Sequence, residues 1–167
     1  MPETVVEASD LDNTLKLSIA KTEDGKSLLD CFQCGVCTSG CPYSDVLDIM
    51  PHQVIKMALL GMKKQLLDCK TIWVCSTCFM CSERCPQGVD LGGVMLALRN
   101  IVVRERGVPE GLKSIFEGIL TSGRLVKITD MRVKERANLG LPEVPSIDIE
   151  AIKKLLKEVD ELVKRGG

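Results

Sequence analysis

The chain is patterned for helices. Apolar residues recur at the three-to-four-residue spacing of one helix face, and no stretch alternates apolar and polar positions as a half-buried strand would. Val54, Ile55, Ala58, Leu59 and Met62 form one such face behind Met50-Pro51, and Gly61 interrupts it. A short helix follows over Lys63 to Asp68. The strongest stripe is Leu91, Val94, Met95, Leu98, Ile101 and Val102. It predicts a helix to about Arg106, with Asp90 to cap its start and Gly107 and Pro109 to end it. Leu112, Ile115, Phe116 and Ile119 predict another from about Pro109 to Thr121, stopped by Ser122-Gly123. Asp148 is placed to cap a last helix to about Arg165, striped by Ile152, Leu155, Leu156, Val159, Leu162 and Val163.

The intervening stretches are less regular. Residues 1–10 read as a disordered arm, Leu11 to Ala20 as a short helix, and Asp24-Gly25 as a turn. Ser44-Asp45, after Cys41-Pro42, reads as an N-cap pair. Lys134 to Leu139 holds one or two helical turns, and Gly140 to Pro145 is a linker with two prolines. The expectation is an all-α chain with an N-terminal arm (1–26), a central domain (27–139), and a linker with a terminal helix (140–167) that docks on a partner.

Composition narrows the class. The 167 residues are 45% apolar with a formal net charge of −1, so the basic excess of a nucleic-acid binder is missing. The longest apolar stretch, Leu91 to Val103, falls short of the roughly 20 residues of a membrane helix and carries Arg99. The acidic start, Met1 to Asp10, has no hydrophobic region of a signal peptide, so a cytoplasmic location is expected. Four of the few aromatics, Phe32, Tyr43, Trp73 and Phe79, lie within two residues of a clustered cysteine. They read as ordinary packing that also keeps water off sulfur.

The chemistry lies in two cysteine runs. Cys31, Cys34, Cys37 and Cys41-Pro42 follow the pattern C-x2-C-x2-C-x3-C-P, and Cys75, Cys78, Cys81 and Cys85-Pro86 repeat it 44 residues later. This is the spacing of [4Fe–4S] ligation, in which the fourth cysteine serves the other cluster. The first cluster is therefore assigned Cys31, Cys34, Cys37 and Cys85, and the second Cys75, Cys78, Cys81 and Cys41. Zinc would want paired cysteines set further apart, often with histidine, and His52 is the only histidine. Disulfides would want an oxidising compartment and an even count, and there are nine cysteines. The ninth, Cys69, reads as a small core residue, and His52 as a surface residue at a helix start. Lys56, Lys63, Lys64, Lys70 and Arg84 each read as part of a solvated face. Eight motif cysteines leave no iron of two cubanes open to substrate, and no Gly-rich nucleotide loop accompanies them. The chain reads as a relay of single electrons with no catalytic residue of its own.

The runs, with Ile72-Trp73-Val74 before the second and Gly140-Leu141-Pro142-Glu143-Val144-Pro145 before the final helix, resemble the iron–sulfur C subunits of the soluble heterodisulfide reductases of methanogenic archaea. The resemblance covers about residues 27–160. It implies an α-helical ferredoxin fold with two [4Fe–4S] clusters. It also implies electron transfer between two other heterodisulfide reductase proteins. Electrons would come from a flavin- and iron–sulfur-bearing protein and pass to the catalytic one, which reduces the coenzyme M–coenzyme B heterodisulfide in methanogenesis. A hydrogenase or formate dehydrogenase would feed the flavin protein. Similar modules serve succinate, fumarate and glycolate oxidoreductases and the related complexes of sulfur metabolism. A metal-stabilised adaptor without redox function is the alternative from another class.

Overall fold

The computed structural model describes residues 6–165, and every regular element among them is helical. The helices are α1 (Leu15–Ala20), α2 (Val36–Ser39), α3 (Pro51–Leu60), α4 (Lys63–Asp68), α5 (Thr71–Val74), α6 (Met80–Glu83), α7 (Leu91–Arg106), α8 (Glu110–Ser122), α9 (Asp130–Asn138), α10 (Ile149–Leu155) and α11 (Lys157–Arg165). Single 3-10 turns stand at Ala8–Asp10, Leu28–Asp30 and Ser44–Val46. None of these helices is long and apolar enough to cross a membrane. The chain forms two compact units, one up to Val102 and one from Val103 onward.

The first unit is built on the two expected stripes. Val54, Ile55 and Ala58 of α3 are buried, as are Leu91, Val94, Met95, Leu98 and Val102 of α7. Leu15 and Ile19 of α1, Leu66 of α4 and Ile72 of α5 complete the same core. Burying a large apolar side chain is worth roughly 1.5–3 kcal/mol, so these residues fix how the helices meet. Cys69 is a core residue, as expected, and burial pushes its thiol pKa up.

Gly61 ends α3 at φ 77, where glycine is favoured. A Cβ there would lie 2.4 Å from the Asp12 carbonyl oxygen, and Asp12 N–H donates to the Gly61 carbonyl at 2.8 Å. Residues 1–5 of the expected arm lie outside the described residues. From Asp12 onward the segment is not a free arm, because Gly61 holds it while Leu15 and Ile19 are buried.

Ser44 and Asp45 do not cap α3. They sit in the 3-10 turn, and the Met50 N–H at the start of α3 donates to Gln53 Oε1 at 2.9 Å. The capping acid of this region is Asp48, and it serves α5. Its two oxygens accept from Lys70 N–H and Thr71 N–H, both at 2.8 Å, and from the Thr71 hydroxyl at 2.6 Å. Thr71 is fully buried and its Oγ1 accepts from Ile49 N–H at 3.0 Å. This knot delivers the chain into the second cysteine run.

In the second unit α10 lies on α8. Gly123 ends α8 at φ 67, and a Cβ there would meet Ile147 Cγ2 at 2.5 Å. Arg124 and Arg136 tie down the proline segment by donating to the carbonyls of Pro145 and Pro142. Asp148 caps α10 by accepting from Ala151 N–H at 3.0 Å. The expected final helix is broken at Leu156 into α10 and α11, and α9 is longer than its stripe suggested. The Leu162 side chain lies outside the described residues. Among those described beyond Val102, no hydrophobic side chain is fully buried. Val126, Leu139 and Leu155 are 73%, 74% and 82% exposed.

Asp48→Ala strips partners from two backbone N–H groups, and a cost of about 1–3 kcal/mol is expected in anaerobic denaturant unfolding. Burial acts to raise the Asp48 pKa, but hydrogen bonds from Thr71 and Lys70 outweigh it and hold the carboxyl below its usual range. A carboxyl so held stabilises the fold above its ordinary pKa of about 3.9 and loses that contribution as pH falls through the lowered folded value. The difference between wild type and Asp48→Ala should therefore persist at neutral pH and shrink only below about pH 4.

Candidate metal centre

The two cysteine runs share one backbone path. Gln33 (φ 65) and Gly35 (φ 81) flank Cys34, and Thr77 (φ 56) and Phe79 (φ 59) flank Cys78 at the matching positions. Left-handed residues on both sides of the middle cysteine curl each loop tightly. Such a conformation costs a non-glycine residue on the order of 1–3 kcal/mol, and a β-branched threonine is an outlier there. It persists where neighbours over-determine it.

For the second loop those neighbours come from α7. Arg99 donates from Nε to the Ile72 carbonyl at 2.6 Å, from one terminal nitrogen to Thr77 Oγ1 at 3.0 Å, and from the other to the Cys75 carbonyl. Phe79 lies against Gly92, where a Cβ would sit 2.5 Å from the ring. Asp90 caps α7 by accepting from Gly93 N–H at 3.0 Å and also accepts from the Ser82 hydroxyl at 2.6 Å. Asp90 N–H donates to Ser27 Oγ at 2.8 Å, which joins the approach to the first run to the exit of the second.

Beyond the middle cysteines each loop turns into a short helix, α2 carrying Cys37 and α6 carrying Cys81, and these two helices pack on each other. Gly40 and Arg84 occupy matching positions and meet here. A Cβ on Gly40 would lie 2.8 Å from Arg84 Cδ, so the small residue admits the large one.

Two cavities result. One is lined by Cys75, Cys78 and Cys81 together with Cys41, and by Tyr43, Phe79, Leu91 and Met95. The other is lined by Cys31, Cys34 and Cys37 together with Cys85, and also by Cys81, His52 and Ile55. Three cysteines of one run thus share each cavity with the fourth of the other. Cys34 and Cys78 are exposed and the other six are half-buried. Of the aromatics near the runs, Tyr43 and Phe79 line the first of these cavities, Trp73 packs on the core, and Phe32 is 58% exposed.

His52 was expected at the surface. It is half-buried, lines the second cavity, and shares a 2.7 Å hydrogen bond between Nδ1 and Thr38 Oγ1. Its cue was its place in the first turn of α3, which packs on α2. Gln33 Nε2 donates to Cys31 Sγ at 3.3 Å. This is the kind of amide-to-sulfur bond that steadies a thiolate.

The sulfurs suit iron. Burial pushes the Cys81 thiol up to about 11 and raises Cys37 as well. Half-buried thiols of this kind become thiolates when a cation replaces the proton. Cubane ligands each take a separate iron. Among the described residues no group of three His, Cys, Asp or Glu side chains stands close enough to share one ion.

The chain is similar to known proteins. A family model described as a 4Fe-4S dicluster domain matches residues 27–89. Over 165 residues the chain is 30% identical to the C subunit of the H(2):CoB-CoM heterodisulfide,ferredoxin reductase of Methanothermobacter marburgensis, spanning 99% of this chain and 88% of that protein. It is 33% identical over 157 residues to the C subunit of the ferredoxin/F(420)H(2)-dependent CoB-CoM heterodisulfide reductase of Methanosarcina acetivorans, spanning 89% and 96%. To a protein of Archaeoglobus profundus named as like the heterodisulfide reductase C subunit, it is 32% identical over 155 residues, spanning 88% and 77%.

Gly92→Val places methyl groups where the Phe79 ring now lies. Overpacking of this kind costs about 1–3 kcal/mol, and iron and acid-labile sulfide per purified chain are expected to fall below wild type. Adding Phe79→Ala should restore much of the iron, and a double variant no better than the single would contradict the contact.

Proposed function

The chain belongs to the C-subunit family of heterodisulfide reductases, iron–sulfur electron-transfer subunits of oxidoreductase complexes. From that premise we propose that it carries two [4Fe–4S] clusters and relays electrons through them. They come from the flavin- and iron–sulfur-bearing protein of the complex and pass to the catalytic one, which reduces the coenzyme M–coenzyme B heterodisulfide. Cys31, Cys34, Cys37 and Cys85 hold the first cluster, and Cys75, Cys78, Cys81 and Cys41 the second. The observation that carries this reading is that eight cysteines line two cavities, each holding the first three of one run and the fourth of the other, with Cys81 on the wall between them. A cubane held by these four thiolates would supply reversible one-electron transfer. The protein's part is to hold four thiolates per site, to limit water around them, and to keep the two sites side by side across the α2–α6 contact.

A relay needs an entry and an exit. Cys34 and Cys78, the exposed ligands, bring each set to the surface, with Phe32 and Val36 exposed near the one and Phe79 and Met80 near the other. A hydrogenase or formate dehydrogenase supplies the flavin protein, and the whole operates in the cytoplasm. The second unit carries exposed apolar residues on α9 and α10, and surface of this kind marks a protein interface. Residues 140–167 dock on one of the partner proteins in this reading.

Two experiments test the proposal. Cys85→Ala is expected to abolish or alter the EPR signal of the cluster bound by Cys31, Cys34 and Cys37 and to spare the one beside it in sequence. Loss confined to the neighbouring cluster would overturn the crossed assignment. Removal of residues 146–167 should weaken co-purification with the partner proteins while leaving iron content unchanged. An unaltered complex would sink the docking role.

A further inference from the structure

Arg99 stands at the margin of the buried stripe of α7, between Met95 and Val102 on one helix face. It is half-buried, and all three of its hydrogen bonds go to one short segment, Ile72 to Thr77, at the start of the second cysteine run. The acceptors are two backbone carbonyls and a hydroxyl, so none carries a charge that would cancel the guanidinium. No carboxylate among the described residues pairs with it. Arginine stays protonated in proteins, so a full positive charge is fixed on the loop bearing Cys75 and Cys78.

The first run has a different partner. Gln33, which matches Thr77 in the repeat, turns its own amide onto Cys31 Sγ at 3.3 Å and offers a dipole without net charge. Arg84 does not separate the two sites, because it follows the second run's own helix and also covers Gly40 of the first. Reducing a cluster adds negative charge, and a fixed cation nearby favours the reduced form, the more so away from bulk water.

We propose that Arg99 sets the cluster held by Cys75, Cys78, Cys81 and Cys41 at a higher reduction potential than its neighbour, so that an electron entering the chain comes to rest there. The inference rests on the ligand sets proposed above. Arg99 acts on the cluster through the loop it grips and through its charge. It is a positioning residue.

The test is an EPR-monitored redox titration of the full, iron-loaded chain in wild type, Arg99→Gln and Arg99→Lys, with iron and labile sulfide counted in each. Arg99→Gln is expected to lower one midpoint and leave the other in place. Arg99→Lys keeps the charge without the three-way fork and should recover most of that shift. Cys34→Ser identifies the clusters, since a serine ligand alters the signal of the first cluster only. The signal that appears first on reduction should therefore match wild type in Cys34→Ser. Two intact clusters that both ignore Arg99→Gln, or a first signal that Cys34→Ser changes, would overturn the inference while leaving the ligand sets standing. Should Arg99→Gln fail to retain iron, the Cys34→Ser titration decides alone. A wild-type chain that binds no iron would overturn the ligand sets and this inference together.

Discussion

The structure depends on bringing sulfur atoms from two runs, 44 residues apart in sequence, into the same two small volumes. Each cavity draws its cysteines from both runs, so neither loop forms a site by itself. The contact between α2 and α6 follows from this, as does the glycine that lets Arg84 close over it. The long helices α3 and α7 supply the buried area that holds the loops to this arrangement. Their stripes meet in one core, against which Cys31, Cys37, Cys75 and Cys81 also pack.

Much of this was legible in the sequence, for local reasons. The bounds of α7 follow from apolar period and end signals, because Asp90 and the left-handed Gly107 act on their own helix. The spacing of the cysteines marks iron–sulfur ligation directly. What escaped the sequence acts at a distance. Asp48 caps a helix more than twenty residues further on, whereas Ser44-Asp45, the local candidate, caps nothing. His52 and Arg99 take their roles from packing that no local period reports. Phe79 is the instructive case. Its own preference argues against a left-handed backbone, yet the repeat aligns it with Gly35, which has the same conformation.

The repeat also separates what is shared from what differs. The two runs agree in their cysteines, their prolines and their left-handed positions. They differ at Gly40 and Arg84 and in the groups that bond each loop, an amide on one and a guanidinium on the other. What the runs share gives two cavities of one kind, and what they differ in makes the surroundings of those cavities unlike.

The shared walls of the two cavities bear on how the protein is made. As the chain leaves the ribosome, Cys31, Cys34 and Cys37 emerge long before Cys85, and the cavity they line lacks its remaining wall until the second run has folded against the first. Until the α2–α6 contact forms, neither cavity has its full set of cysteines. The same geometry sets the manner of failure. A change that opens one cavity frees a contact between distant parts of the chain, and because Cys81 lines both cavities it loosens the wall of the other as well.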